Sequence, residues 1–112
     1  MTQVDAFQAL ADPTRRLLLE VLRHGEVPVG DLVARVGIHQ SGVSRHLRIL
    51  SEAGFVTMRP DGPRRLYSLR PGPFRQLDGW LAPYRDLWEA RLDRLGAALE
   101  RRQATRPPTT KE

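Results

Sequence analysis

The chain has 112 residues, a net charge of +5 from 18 basic and 13 acidic side chains, and no cysteine. That length allows one small domain that gains by burying further surface in an oligomer, and the missing cysteine excludes a disulfide scaffold, a thiolate metal site and thiol redox sensing. The basic balance favours a polyanionic partner, and no run reaches the apolar length of a signal peptide or a membrane span, so the chain is expected in the cytoplasm without a membrane partner.

Val4, Phe7 and Leu10 form a weak helical stripe over Thr2 to Leu10 that serves as core or as dimer surface. Asp12 followed by Pro13 predicts a helix start, because Asp caps exposed amides and Pro is tolerated at the first helical position. Leu17, Leu18, Val21 and Leu22 give that helix a buried stripe, and Gly25 stops it. Val27 and Val29 flank Pro28, which suits a short extended piece at a sheet edge. A further helix is predicted from Asp31 to Val36, with Leu32, Val33 and Val36 inward and Gly37 closing it.

The next helix, Gln40 to Ala53, has two opposed faces at about 100° per residue. Val43, Leu47 and Leu50 lie on one; Ser41, Ser44, Arg45 and Arg48 lie on the other. With the preceding helix and the tight turn between them, this is a helix-turn-helix signature. Hydroxyls and guanidinium groups suit phosphate oxygens and purine edges, so the polar face reads as one that enters a major groove. Residues 40 to 70 also hold the basic surplus, with six Arg against two acids, whereas residues 1 to 39 hold four Arg against five acids.

Beyond Gly54, a left-handed cap, Phe55 to Arg59 and Arg64 to Leu69 are strand-like runs around the turn-rich Pro60-Asp61-Gly62-Pro63. Arg59, Arg64 and Arg65 flank the tip. Beside a reader helix such a hairpin is a wing that lies along the DNA backbone and can insert an Arg into a narrow minor groove. The alternative is that the arginines serve solubility and edge protection.

From Gly72 onward Phe74, Leu77, Leu81, Tyr84, Trp88, Leu92, Leu95 and Leu99 recur at helical spacing, a stripe longer than so small a domain covers by itself. Pro83 predicts a kink or a restart between Leu81 and Tyr84. Trp80, Tyr84, Leu87 and Trp88 carry most of the aromatic and bulky mass, shared between core and a two-fold interface. Gln103 to Glu112 reads as a disordered tail.

Ala11-Asp12-Pro13-Thr14-Arg15-Arg16, then Gln40-Ser41-Gly42-Val43-Ser44-Arg45-His46-Leu47, then Glu52-Ala53-Gly54-Phe55-Val56, occur in an order that resembles the ArsR/SmtB winged-helix repressors, over roughly residues 5 to 100. The resemblance implies a homodimer formed through the N- and C-terminal helices, binding a palindromic operator and repressing transcription. Trp80-Leu81-Ala82-Pro83-Tyr84 is similar to the Trp-Leu-x-Pro-Tyr run of one subgroup. The founding metal sensors carry Glu-Leu-Cys-Val-Cys-Asp-Leu where this chain has Glu26-Val27-Pro28-Val29-Gly30-Asp31-Leu32, so both thiolates are gone. Their C-terminal helix also carries histidine ligands, whereas His24, His39 and His46 all precede that helix here. A metal needs about three or four convergent ligands, and three dispersed histidines do not point to one. His24 reads as compensating a helix dipole, His39 as a cap or phosphate contact, and His46 as a packing or orienting residue more than a base reader.

No Gly-rich phosphate loop, paired carboxylates or Ser-His-Asp arrangement supports catalysis, and no cofactor is expected. The expected fold is mainly α with a small β-hairpin, one winged helix-turn-helix domain over residues 1–102 whose N- and C-terminal helices form a homodimer. Gln40, Ser41, Ser44, Arg45, His46, Arg48, Arg59, Arg64 and Arg65 are the candidate contacts to double-stranded DNA; Phe7, Leu81, Tyr84, Trp88, Leu92 and Leu95 are the candidate dimer contacts. The inducing signal is left open, with a small organic effector among the choices. Two other readings stand beside this one: a winged helix docked on an acidic protein, and a metal-responsive repressor with an unrecognised site.

Overall fold

A computed structural model describes residues 5–105. Helices α1 (Ala6–Leu10), α2 (Pro13–Leu22), α3 (Val29–Val36), α4 (Gln40–Glu52) and α5 (Gly72–Thr105) are joined by β1 (Val27–Pro28), β2 (Val56–Asp61) and β3 (Arg64–Leu69). The architecture is a helix-turn-helix with a three-stranded antiparallel sheet in the order β1-β3-β2.

Local chemistry sets most boundaries. At α1, Asp5 accepts from the Gln8 amide at 2.8 Å while the Gln8 side chain takes the Asp5 amide at 3.1 Å, a reciprocal capping box. At α2, Asp12 Oδ1 accepts from the amides of Thr14 and Arg15 at 2.8 and 3.1 Å, and Pro13 occupies the first turn. Burial raises the Asp12 carboxyl, but the amides of Arg15 and Thr14, with the fields of His46 and Arg15, outweigh it and hold the group below its ordinary value. Gly37 ends α3 at φ 75°, and Gly54 follows α4 at φ 82°, left-handed positions where a side chain would be strained.

The chain divides into two units, one up to Asp78 and one from Gly79. The first is closed around Leu18, Leu22, Leu32, Val43, Leu47, Leu50, Phe55 and Val56, all essentially without exposure. Burying each such side chain contributes roughly 1.5–3 kcal/mol. Phe74, at the start of α5, meets Phe55 edge-on with centroids 5.0 Å apart, and Leu77 packs partly against the same cluster.

The second unit, the α5 helix from Gly79, has no such core. Trp80, Leu81, Tyr84, Leu87, Trp88, Leu92, Leu95 and Leu99 are all exposed, Trp88 at 55% and Leu92 at 64%. The Trp80 and Tyr84 rings meet tilted at 36° with centroids 4.9 Å apart. No helix of the described residues is long and apolar enough to cross a membrane.

Several boundaries differ from the sequence reading. α3 begins at Val29, not Asp31, because sheet pairing ends at Pro28, opposite Leu66, and Pro28 at ψ 149° already caps the helix. α2 turns Leu18, Leu19 and Leu22 inward and leaves Leu17 exposed, since three consecutive leucines give periodicity nothing to choose between. The hairpin loop is only Gly62-Pro63: Pro60 and Asp61 belong to β2, paired with Arg65 and Arg64. Pro60 fits there because β2 is an edge strand with no ladder bond to lose on its outer side. α5 runs through Pro83 as one helix, so of the expected kink or restart the restart does not occur. The helix also continues to Thr105; residues 106–112 of the expected tail, and Thr2 to Val4 of the first stripe, lie outside the described residues.

Candidate nucleic-acid interface

The α4 helix shows why this segment is two-faced. Val43, Leu47 and Leu50 sit at zero exposure, anchoring the helix on α2, α3 and the start of β2, while Gln40, Ser41, Ser44, Arg45 and Arg48 face solvent. Among the described residues Arg45 and Arg48 make no ion pair, so their five-donor guanidinium groups stand uncompensated on that face.

The start of α4 is capped by His39, whose Nδ1 accepts from the Ser41 amide at 3.3 Å and lies 3.0 Å from the Ser41 hydroxyl oxygen. His46, on the flank, is half-buried and turned toward α2, where Arg15 donates from Nη1 to its Nδ1 at 3.3 Å. The same guanidinium donates to the carbonyl oxygens of Ala9 at 2.7 Å and Gln8 at 3.1 Å, and Arg16 donates to that of Leu10 at 2.6 Å. Arg15 therefore ties the open carbonyls of α1 and the ring on α4 to one side chain. The motif containing Arg15 gave it no role in the sequence: Gln8 and Ala9 lie only seven and six residues back but across a helix break, and His46 is 31 residues away, so helical spacing points to none of them.

The three hairpin arginines are not equivalent. Arg59 makes a two-pronged ion pair with Glu26, Nε to Oε2 and Nη2 to Oε1, both at 2.8 Å. The Glu26 hydrogen bonds raise the Arg59 guanidinium further above its ordinary value. Arg64 bonds Asp61 across the turn at 2.6 Å, and that hydrogen bond holds the Asp61 carboxyl below its ordinary value. Arg65 has no ion pair among the described residues. Arg64 and Arg65 line a cleft of about 390 Å³ with Gln40, Pro63 and the Val29-Gly30-Asp31 start of α3. The structure thus brings the hairpin tip and the first turns of α3 and α4 to one surface. Among the described residues no three His, Asp or Glu side chains converge as a metal would require.

Residues 12–58, which include α3, α4 and the start of β2 but not the hairpin tip, match the family model described as bacterial regulatory protein, arsR family. Over 77 residues the chain is 31% identical to the transcriptional repressor SdpR of Bacillus subtilis, a match covering 69% of this chain and 86% of SdpR.

The chain belongs to the ArsR family.

Within this family it is also 47% identical, over 66 residues, to the HTH-type transcriptional regulator Rv2034 of Mycobacterium tuberculosis, covering 59% of this chain and 62% of Rv2034. The chain thus spans about three-fifths of the length of that relative. Among solved structures, an ArsR family transcriptional regulator superposes with a TM-score of 0.67 at 33% identity, covering 75% of this chain and 87% of that one. These relatives are transcriptional regulators and not enzymes. ArsR membership bears out the resemblance read from the three motifs, and the winged helix-turn-helix architecture is that of the superposed ArsR structure.

Proposed function

We propose that this ArsR-family chain is a dimeric, sequence-specific DNA-binding repressor that holds two α4 helices on a palindromic operator and does not respond to metal. The observation that carries the reading is the α4 helix itself: one face fully buried, the other presenting Gln40, Ser41, Ser44, Arg45 and Arg48 beside a hairpin tip with Arg64 and Arg65. Residues in the first half of such a helix reach base edges and later ones hold phosphate, which assigns Arg45 to a guanine and Arg48 to the backbone. The half-buried position of His46 against Arg15 gives it an orienting role, setting how α4 is presented, in place of a direct contact.

A palindrome needs two reader helices about 34–36 Å apart. The exposed apolar stripe Leu81, Tyr84, Trp88, Leu92 and Leu95 on α5 is of the kind a two-fold axis pairs with its own copy, and Phe7, exposed on α1, offers a separate apolar contact. Metal indifference is supported by Pro28 and Gly30 in place of thiolates and by an α5 without histidine.

Selection of duplexes from a random library tests this reading. Enrichment of a palindrome with half-sites about 10–10.5 base pairs apart, bound with an affinity that falls steeply with salt, is the expected result. Enrichment of no sequence would overturn it. Adding micromolar zinc, cadmium, copper or arsenite to the complex should leave binding unchanged; release reversed by a chelator would overturn the metal part.

A further inference from the structure

His39 is exposed, sits at the mouth of α4, and is used by the reading above only as a cap. Its bonding fixes more than that. The Ser41 amide can only donate, so the Nδ1 that receives it carries a lone pair, and in a neutral imidazole the proton then resides on Nε2. The Ser41 hydroxyl oxygen, 3.0 Å from the same Nδ1, is the second donor to that lone pair. With its proton turned to that lone pair, the exposed hydroxyl oxygen keeps acceptor capacity for an outside donor.

We propose that His39 and Ser41 form one base-reading pair: His39 offers an Nε2–H donor and Ser41 an acceptor, side by side at the N-terminal end of the reader helix. This rests on the operator-binding reading and sharpens it. With its proton turned to Nδ1 the Ser41 hydroxyl accepts from outside, which fits an exocyclic amino group, adenine N6 or cytosine N4, in the major groove. The His39 N–H fits a neighbouring base acceptor such as a purine N7 or thymine O4. With the cap accepting at Nδ1, the imidazole ring is held in one orientation, which gives the donor a fixed direction that a freely rotating side chain lacks.

The decisive variant is H39S. Serine is a strong N-cap acceptor, so the helix start keeps its amide bond while the ring donor disappears. Wild type, H39S and S41A are compared on the duplex that wild type selects from a random library and on a scrambled duplex, with thermal unfolding as the check on folding. H39S should unfold at the wild-type temperature or above, bind the selected duplex about five- to twenty-fold more weakly, and lose preference at one base pair. S41A should lose preference at that pair or an adjacent one. H39S binding the selected duplex as wild type does would overturn the proposal while leaving operator binding intact, and an equal loss on both duplexes would place His39 on phosphate and overturn it as well. If wild type selects no duplex, the operator-binding reading falls first and this pair falls with it.

Discussion

The unit up to Asp78 and the helix beyond Gly79 use similar apolar residues to opposite ends. In the first, leucines and valines from α2, α3, α4 and β2 converge until Leu18, Leu32, Val43, Leu47 and Leu50 have no exposure left. In the second, Leu92, Leu95 and Leu99 sit at helical spacing with roughly half or more of their surface exposed. Apolar residues at the right period make an amphipathic helix in either case; the first set is buried in a shared cluster, and the second stays exposed. The difference teaches that periodicity identifies a face and says nothing of what covers it, whether the rest of the chain or a second copy.

The largest effect expected from that contrast comes from truncating one leucine in each region. Leu47→Ala should cost about 2–5 kcal/mol, because it opens a cavity in a closed core. Leu92→Ala should leave the urea midpoint of the dilute monomer within about 0.5 kcal/mol of wild type, as surface changes do. Comparable losses for both, in urea titrations at low protein concentration, would show that the α5 face is covered within the chain.

Next in size is the division of labour on α4. Arg45→Ala should cost about 1–3 kcal/mol on the selected duplex and flatten preference at one base pair, whereas Arg48→Ala should weaken all sequences alike. Quantitative binding to matched and scrambled duplexes checks this, and equal losses for Arg45→Ala on both would remove it from base reading.

Asp12 supplies a smaller, pH-dependent effect. Its folded-state pKa is lowered, so its contribution is present above the ordinary carboxylate value and is lost as pH falls through the folded one. Asp12→Ala should therefore cost about 1 kcal/mol at pH 7 and progressively less below about pH 4. Unfolding curves at pH 7 and pH 3 give the two values; an undiminished cost at pH 3 would mean that the carboxylate charge is not what caps α2.

The smallest effect separates the hairpin arginines. Arg65→Ala should lower the salt slope of DNA binding by about 0.9, the value of one phosphate contact. Arg59→Ala should change it less, because Glu26 already compensates that charge. Equal slopes lost for both would mean that the Glu26 pair opens on the duplex.

Much of this was legible in the sequence because it is local. Asp12-Pro13, Gly37 and Gly54 mark helix ends through their own backbone and capping chemistry, and each stands where the sequence placed it. The buried face of α4 was equally plain, since Val43, Leu47 and Leu50 follow one period. What was not legible depends on neighbours distant in sequence. Pro60 looked like a turn residue until the strand order put β2 at the edge. The hairpin arginines looked alike until Glu26, 33 residues away, was found against Arg59. Pro83 signalled a kink or a restart, yet a helix can continue past one missing amide, and α5 does not restart there.

The central claim is that two copies of this chain, joined through the exposed α5 face, present two α4 helices to one operator. Sedimentation equilibrium of the protein with the selected palindromic duplex measures this directly, through the mass of the saturated complex. Two chains per duplex are predicted for wild type, and Trp88→Asp, which places a charge on the apolar seam, should lose that complex at the same protein concentration. One chain per duplex at saturation, or a two-chain complex indifferent to Trp88→Asp, would contradict the account.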